Sequence, residues 1–290
     1  MSWRTVVIKS RSKLDYKMEY LVVRTEEATS RIHLSEIAVL LIESTAVSLT
    51  AYLLAELCRH KIKVIVCDEK CDPCAELVRF YGSHDCPRKV REQMRWGEEL
   101  KKLVWADIVR TKIAGQLSNL PPEADTARTL LSSYIAEVAP GDPTNREGHA
   151  AKVYFNALFG MSFSRGDISP VNAALNYGYG IVLSAFNREL VSCGYLTELG
   201  IFHDNMFNRF NFSCDLMEPF RPYVDRLVVG LAPEKFEHEE KMKVLDILNS
   251  TVHIRDSEQI FLNAIRIYTH SVLEALEEGD TGCIRNPSYE

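Results

Sequence analysis

A chain of 290 residues with 46% hydrophobic side chains can bury a sizeable core, which excludes a mainly disordered state. A net charge of -6 argues against a nucleic-acid binder, whose domains usually carry a basic excess, but DNA feels local patches and the distribution decides. Eight cysteines at this length are too sparse for a disulfide scaffold, and the longest apolar run, Ile37 to Ile42, is far short of a membrane span. The opening residues show no charged segment followed by a long apolar run. These features point to a reduced, cytoplasmic protein with no membrane association.

The first part reads as strand-rich. Residues 5–9 are short and β-branched, and residues 13–24 alternate with period two through Tyr16, Met18, Tyr20 and Val22. Residues 31–44 are again apolar, residues 48–60 carry helical spacing through Leu49, Tyr52, Leu53 and Leu57, and residues 63–67 return to strand. This predicts a β-rich domain over residues 1–75, then a linker over 76–87 with Asp72-Pro73 before it and turn residues through Pro87. From residue 88 the pattern is helical almost to the end, with stripes at 88–116, 124–138, 145–159, 170–192, 216–230 and 257–277. The helical domain is expected over 88–280, with residues 281–290 a flexible tail that frays.

Charge is unevenly placed. Between Arg88 and Lys112 stand eight Lys or Arg against four acids, a net positive stretch in an acidic chain. It suits a solvated helix face with i,i+4 pairs or a surface that tracks phosphates.

Three segments carry groups able to do chemistry. Thr144-x-x-Glu147 after Asp142-Pro143 fits a capping box, which would make Glu147 a cap for its own helix. Against that, Gly148 and Ala150-Ala151 leave the surface beside Glu147 small, Gly148 costs helix propensity, and Lys152 lies along the helix where it would meet a phosphate. His149 is two positions from Glu147 and points to another side. Next, a loop with Gly200 delivers His203 after Ile201-Phe202; such a histidine is more often a core residue than a ligand. Last, Asp215 and Glu218 share one helical face at an expected helix start, where they suit either a cap or a site for a metal-bridged phosphate, with Arg221 and Arg226 nearby. Two carboxylates and one imidazole suit Mg²⁺ or Mn²⁺ rather than structural zinc. Cys67, Cys71, Cys74 and Cys86, with His84, offer an irregular alternative that fits zinc poorly and solitary thiols better.

These segments resemble the motifs of the CRISPR-associated endonuclease and integrase family. The run Asn145 to Gly160 resembles its first catalytic motif, Asn172 to Gly180 its long helix, Gly194 to His203 its histidine motif and Asp215 to Asp225 its last acidic motif. Val66 to Lys70 and Phe80 to Asp85 resemble the inter-domain region of the subtype found beside the single-protein effector nuclease (type II). The resemblance implies an α+β fold, a small N-terminal β-sandwich that dimerises followed by a larger all-helical catalytic domain. It implies Glu147, His203 and Glu218 as metal ligands, Glu218 standing where many members carry Asp, and Asp215 as a further acidic position. Cys71 stands where relatives of the subtype often have histidine.

The implied activity is metal-dependent transesterification on Mg²⁺ or Mn²⁺. A prespacer 3′-hydroxyl attacks a phosphodiester at the leader–repeat border of the CRISPR array. The implied partners are double-stranded DNA, a second copy of the chain in a homodimer, and a small ferredoxin-like adaptation protein clamped in a heterohexamer. The effector nuclease and an accessory adaptation protein are further candidates. Lys152, Arg221 and the basic stretch with Arg88, Lys89, Arg91 and Arg95 are the candidate phosphate contacts. The competing readings are a catalytically inactive DNA-binding scaffold and a zinc-dependent regulator built on the cysteines.

Overall fold

A computed structural model describes residues 4–77, 85–254 and 256–289, which divide into two compact units, 1–82 and 83–290. The first unit contains β1 (Arg4–Ile8), β2 (Ser12–Lys17), β3 (Tyr20–Arg24), β4 (Thr29–His33), β5 (Ile37–Ile42), β6 (Val47–Leu49), α1 (Ala51–Arg59), β7 (Lys63–Cys67) and β8 (Pro73–Leu77). They form two four-stranded sheets, ordered β1-β5-β7-β8 and β4-β3-β2-β6. β5 is apolar at every position because it lies between parallel neighbours β1 and β7 and is buried throughout. Ile8, Leu40 and Val64 of one sheet meet Leu14 and Leu21 of the other in one core, with Leu53 and Leu57 of α1 closing it. This is the expected sandwich with its embedded helix.

The alternation over 13–24 belongs to two strands. Met18 and Glu19 adopt φ of 49° and 66°, and the chain reverses there into a β2–β3 hairpin. Neither residue is a usual turn former, so no local signal marked the reversal. Strand β8 also runs into the segment expected to be linker.

The second unit is mostly helical: α2 (Cys86–Gln93), α3 (Glu98–Asn119), α4 (Asp125–Glu137), α5 (Arg146–Phe159), α6 (Pro170–Cys193), α7 (Asn211–Met217), α8 (Arg221–Leu231), α9 (His238–Leu245) and α10 (Phe261–Glu278). It is not wholly helical. β9 (Thr251–Ile254), β10 (Ser257–Ile260) and β11 (Pro287–Ser288) make a small antiparallel sheet ordered β10-β9-β11. The last helix therefore starts at Phe261, four residues later than periodicity suggested.

The tail does not fray. Asn286 donates to Asp107 at 2.8 Å, the Tyr223 hydroxyl donates to Ser288 O at 2.9 Å, and the Tyr289 hydroxyl donates to the carbonyl of Pro219. The Tyr289 ring lies 5.1 Å from Tyr223 and passes Gly115, where an added Cβ would come within 2.6 Å of it. Glycine on α3 is thus the condition for the tail to dock. Tyr289→Ala is expected to lower stability by about 2 kcal/mol, read as a lower urea midpoint at unchanged slope.

Candidate active site

Glu147 does not cap its helix. Asp142, buried and left-handed at φ 46°, accepts from the backbone N–H of Arg146 at 2.8 Å and of Glu147 at 2.9 Å. Asn145, also left-handed, accepts from Gly148 N at 3.1 Å. Thr144 is exposed, and no capping box forms. An added Cβ on Gly148 would meet the Asn145 side chain at 2.7 Å, so this glycine makes room for the cap rather than for a ligand. With its helix end satisfied by others, the Glu147 carboxylate is available for a cation.

Glu218 lies where α7 passes through a 3-10 turn, residues Glu218–Phe220, into α8. The expected helix start lies earlier, at Asn211, so neither Asp215 nor Glu218 is a cap. Glu218 is buried, with Oε1 accepting from Arg221 Nε at 2.9 Å. Its Oε2 lies 2.5 Å from Lys112 Nζ but is not aligned for a hydrogen bond. The same ammonium donates to Glu147 Oε1 at 2.6 Å. Lys112 of α3 therefore bridges the two carboxylates.

His203 is placed by a heavily hydrogen-bonded loop. Gln93 of α2 accepts from Leu196 N and donates to the carbonyls of Leu196 and Leu199, each at 2.9 Å. Asp215, fully buried, accepts from the backbone N–H of Ile201, Phe202 and His203 at 2.7, 3.2 and 3.0 Å. It also takes the His203 Nδ1 hydrogen bond at 2.6 Å, which fixes the ring and leaves Nε2 for a ligand. Phe202 stacks on Trp105 of α3 with centroids 4.1 Å apart, and Trp105 meets His203 edge-on at 5.7 Å. Gly200 is required here: an added Cβ would lie 2.3 Å from His203 O and 2.7 Å from Asp215 Oδ2.

The electrostatics follow from this packing. The Asp215 hydrogen bond raises the His203 imidazole above its ordinary value against the cost of burial, helped by the charges of Asp215, Glu218 and Glu147. Burial pushes the Glu218 carboxyl up, but Arg221 and Lys112 together hold it below the usual range. Burial opposes the charge on Lys112, yet Glu218 and Glu147 raise it overall. Glu147, His203 and Glu218 thus share one electrostatic site, with an ammonium between its acids. Among the described residues, only Glu189, Cys193 and His270 bring three metal-type donors within 4.8 Å of one another. The Glu147–His203–Glu218 set is more open than that.

Behind the site lies a buried acid that pattern reading left without a role. Asp225 of α8 accepts from the Tyr179 hydroxyl, while Arg221 lies 4.6 Å over the Tyr179 ring. Burial pushes the Asp225 carboxyl up to about 6 despite the Tyr179 hydrogen bond and the Arg221 charge. A carboxyl raised on folding contributes stability that is fully present below about pH 4 and lost as pH rises to about 6. Asp225→Asn removes that titration. It is expected to exceed wild type in stability above pH 6 by about 1–3 kcal/mol, the advantage vanishing near pH 4. Denaturation midpoints across pH check this.

The remaining basic candidates separate. Arg88 is paired with Asp85 at 2.7 Å and Glu92 at 3.2 Å, and Lys89 with Glu277. Lys101 and Lys102 pair with Glu98 and Glu99, and Arg110 donates to Val138 O. Arg91 and Arg95 are exposed, with no carboxylate partner among the described residues. Lys152 is exposed on α5, whereas Arg221 is half-buried in its pairing with Glu218. The stretch is thus a mixture of solvated pairs, two open arginines and one lysine turned inward.

Pattern reading counted Lys112 among surface charges. Its position was the missed signal: Trp105, Ile108, Val109, Lys112 and Ile113 form one buried stripe of α3, and a lysine on such a stripe requires carboxylate partners. His149 lies away from the acids, 6.2 Å from the Tyr134 ring. Cys67, Cys71 and Cys74 belong to the first unit and Cys86 to the second. Cys74 donates to Val66 O, and among the described residues these cysteines contribute to no metal-type trio. His84 and most of the 80–85 motif lie outside the described residues. None of the eight cysteines is in a disulfide. Among the described residues, no helix is long and apolar enough to cross a membrane.

Residues 5–246 match the family described as CRISPR associated protein Cas1. The chain belongs to the Cas1 family. A curated relative, the CRISPR-associated endonuclease Cas1 of Neisseria meningitidis serogroup C, is 37% identical over 232 residues, covering 80% of this chain and 76% of its own. The fold is shared with a casposase solved bound to its integration product, with TM-score 0.77 at 16% identity, covering 97% of this chain and 92% of that one. It is also shared with a chain of a Cas6-RT-Cas1–Cas2 complex, with TM-score 0.75 at 16% identity, covering 97% of this chain and 36% of that one. The β-rich first unit and mostly helical second unit are therefore those of Cas1 folds, as the sequence motifs implied.

Proposed function

We propose that this chain is a divalent-metal-dependent DNA endonuclease and integrase that inserts prespacer DNA into a CRISPR array. The observation that carries the reading is the joint arrangement of Glu147, Glu218 and an Asp215-oriented His203. Two acids from different helices face one cation while an imidazole offers Nε2 beside them. The relative's name, endonuclease, and the casposase neighbour agree with it.

The donor chemistry fits Mg²⁺ or Mn²⁺. The buried Glu218 Oε2 is held only by the Lys112 ammonium, a cation an ion would replace, Glu147 is free of capping duty, and the imidazole nitrogen favours Mn²⁺ tolerance. Glu147, His203 and Glu218 would hold the ion, which when bound supplies charge stabilisation at the scissile phosphate and activation of the attacking 3′-hydroxyl. The protein's own groups do the rest. Asp215 keeps the His203 ring oriented, and Arg221 holds Glu218 in place. Lys112 neutralises the acids in the ion-free state and becomes available to a DNA phosphate once released from them. Arg91, Arg95 and Lys152 are the exposed cations assigned to the DNA backbone.

The family resemblance extends the proposal to a homodimer and to assembly with a small ferredoxin-like adaptation partner, with the type II effector nuclease as a further associate. The Lys112 bridge also suits an inactive scaffold, in which the acids serve only to bury a lysine. The test is strand joining. Purified protein with its adaptation partner, Mn²⁺ and a duplex bearing free 3′-hydroxyls is incubated with DNA containing a leader–repeat border. Joined product that disappears on chelation supports the integrase; no joining with either Mn²⁺ or Mg²⁺ favours the scaffold.

A further inference from the structure

We infer that the outer surface of the helical unit carries a second metal site, of the zinc class, made by Glu189, Cys193 and His270. Their donor atoms all lie within 4.8 Å of one another. Glu189 and Cys193 are four residues apart on α6, so one helical face presents both, and His270 reaches them from α10. His270 Nε2 is 2.9 Å from Glu189 Oε1 and 3.5 Å from Cys193 Sγ. Zinc bond lengths to nitrogen, oxygen and sulfur set tetrahedral edges of about 3.3 Å for N to O and about 3.6 Å for N to S. The two distances from His270 are therefore within a few tenths of an ångström of ligand spacing, and the third pair of donors lies within 4.8 Å.

Beside the cluster, Phe186 of α6 meets Tyr268 of α10 edge-on at 6.3 Å, both rings buried, so the two helices are packed against each other near the site. The His270 side chain is half exposed, which gives an ion an entry path. One thiolate, one imidazole and one carboxylate select a borderline-soft ion such as Zn²⁺ over Mg²⁺, and water takes the fourth position. This donor set differs in kind from the acids and imidazole of the Glu147 site and shares no residue with it. Bound zinc would pin the end of α6 to α10.

The test uses the chelator-stripped full chain titrated with Co²⁺ alone. One equivalent should give a thiolate-to-cobalt charge-transfer band with intense visible bands of tetrahedral cobalt, and Zn²⁺ should bleach them. The thiolate band should grow in Glu147→Gln as in wild type, because it reports only Cys193 and not the proposed Glu147 site. Cys193→Ser should lose the charge-transfer band, and His270→Gln should weaken cobalt binding at least tenfold. Zinc should raise the melting temperature of wild type by a few degrees and leave Cys193→Ser unmoved. Absence of the thiolate band in wild type overturns the site, as does its persistence in Cys193→Ser. If Cys193→Ser fails to fold, wild-type cobalt affinity in His270→Gln, where only an exposed ring is changed, overturns it equally.

Discussion

Lys112→Met should destabilise the metal-free protein by about 3 kcal/mol, and Mn²⁺ should restore most of the loss. The ammonium is the shared partner of Glu147 and Glu218, and it is buried with them. Removing one member of a buried ionic set leaves the others without compensation, at about 3–5 kcal/mol when fully enclosed. Glu147 is partly solvated, which moves the expectation to the lower end. Methionine keeps the length and apolar stem of lysine, so packing on α3 changes little. A divalent ion held by Glu147 and Glu218 would supply the lost positive charge without competing with an ammonium. Urea midpoints with and without Mn²⁺ measure both effects, and the variant should need less Mn²⁺ for half-saturation than wild type. A variant as stable as wild type without metal, or one that Mn²⁺ leaves unrescued, would remove the two acids as a metal pair.

Glu147→Gln should cut strand joining by at least about a hundredfold, as expected when several kcal/mol of charge stabilisation at the reacting phosphate are lost. The fold should survive. The N-terminus of α5 is capped by Asp142 and Asn145, so no helix-capping energy is lost with Glu147. This separates the integrase from the scaffold, because a capping Glu147 would have cost stability and no activity. Native circular dichroism with a melting temperature lowered only by the lost Lys112 pairing and restored by no capping substitution, beside a joining assay reduced to background, is the expected pair of results. Joining at the wild-type rate would end the case for Glu147 as a ligand.

What the sequence disclosed follows the reach of local rules. Residues 37–42 read as a buried strand because an unbroken apolar run between parallel neighbours needs no polar face. Long helices such as α3 and α6 announced themselves by periodicity. The hairpin at Met18-Glu19 did not, because tertiary context forces left-handed backbone onto residues that do not advertise it, while the β9–β10 reversal rests on a lone Asp256, φ 60°, a residue too common in loops to mark a turn by itself. The capping of α5 was misread because Asp142 and Asn145, which tolerate left-handed backbone, do the capping and Thr144 only matched the letters. Glu147, His203 and Glu218 were picked as proposed ligands through motif order, which reaches across gaps that periodicity cannot span. The role of Asp215 as the group that orients His203, rather than as one more acid, needed the fold. So did the meeting of Lys112 with acids 35 and 106 residues away, a pairing that no local spacing encodes.

The docking of Tyr289 on Pro219 has a consequence for how the protein comes into being. The carbonyl next to Glu218 is held by a hydroxyl 70 residues downstream, and Asp107 of α3 by an amide 179 residues downstream. On the ribosome, α3 and the Glu218 turn emerge well before the strand that latches them. The nascent chain therefore carries Glu218 on an unfastened turn until the tyrosine 70 residues downstream of Pro219 has emerged. The turn that carries Glu218 gains its latch only once β11 and Tyr289 have folded against it.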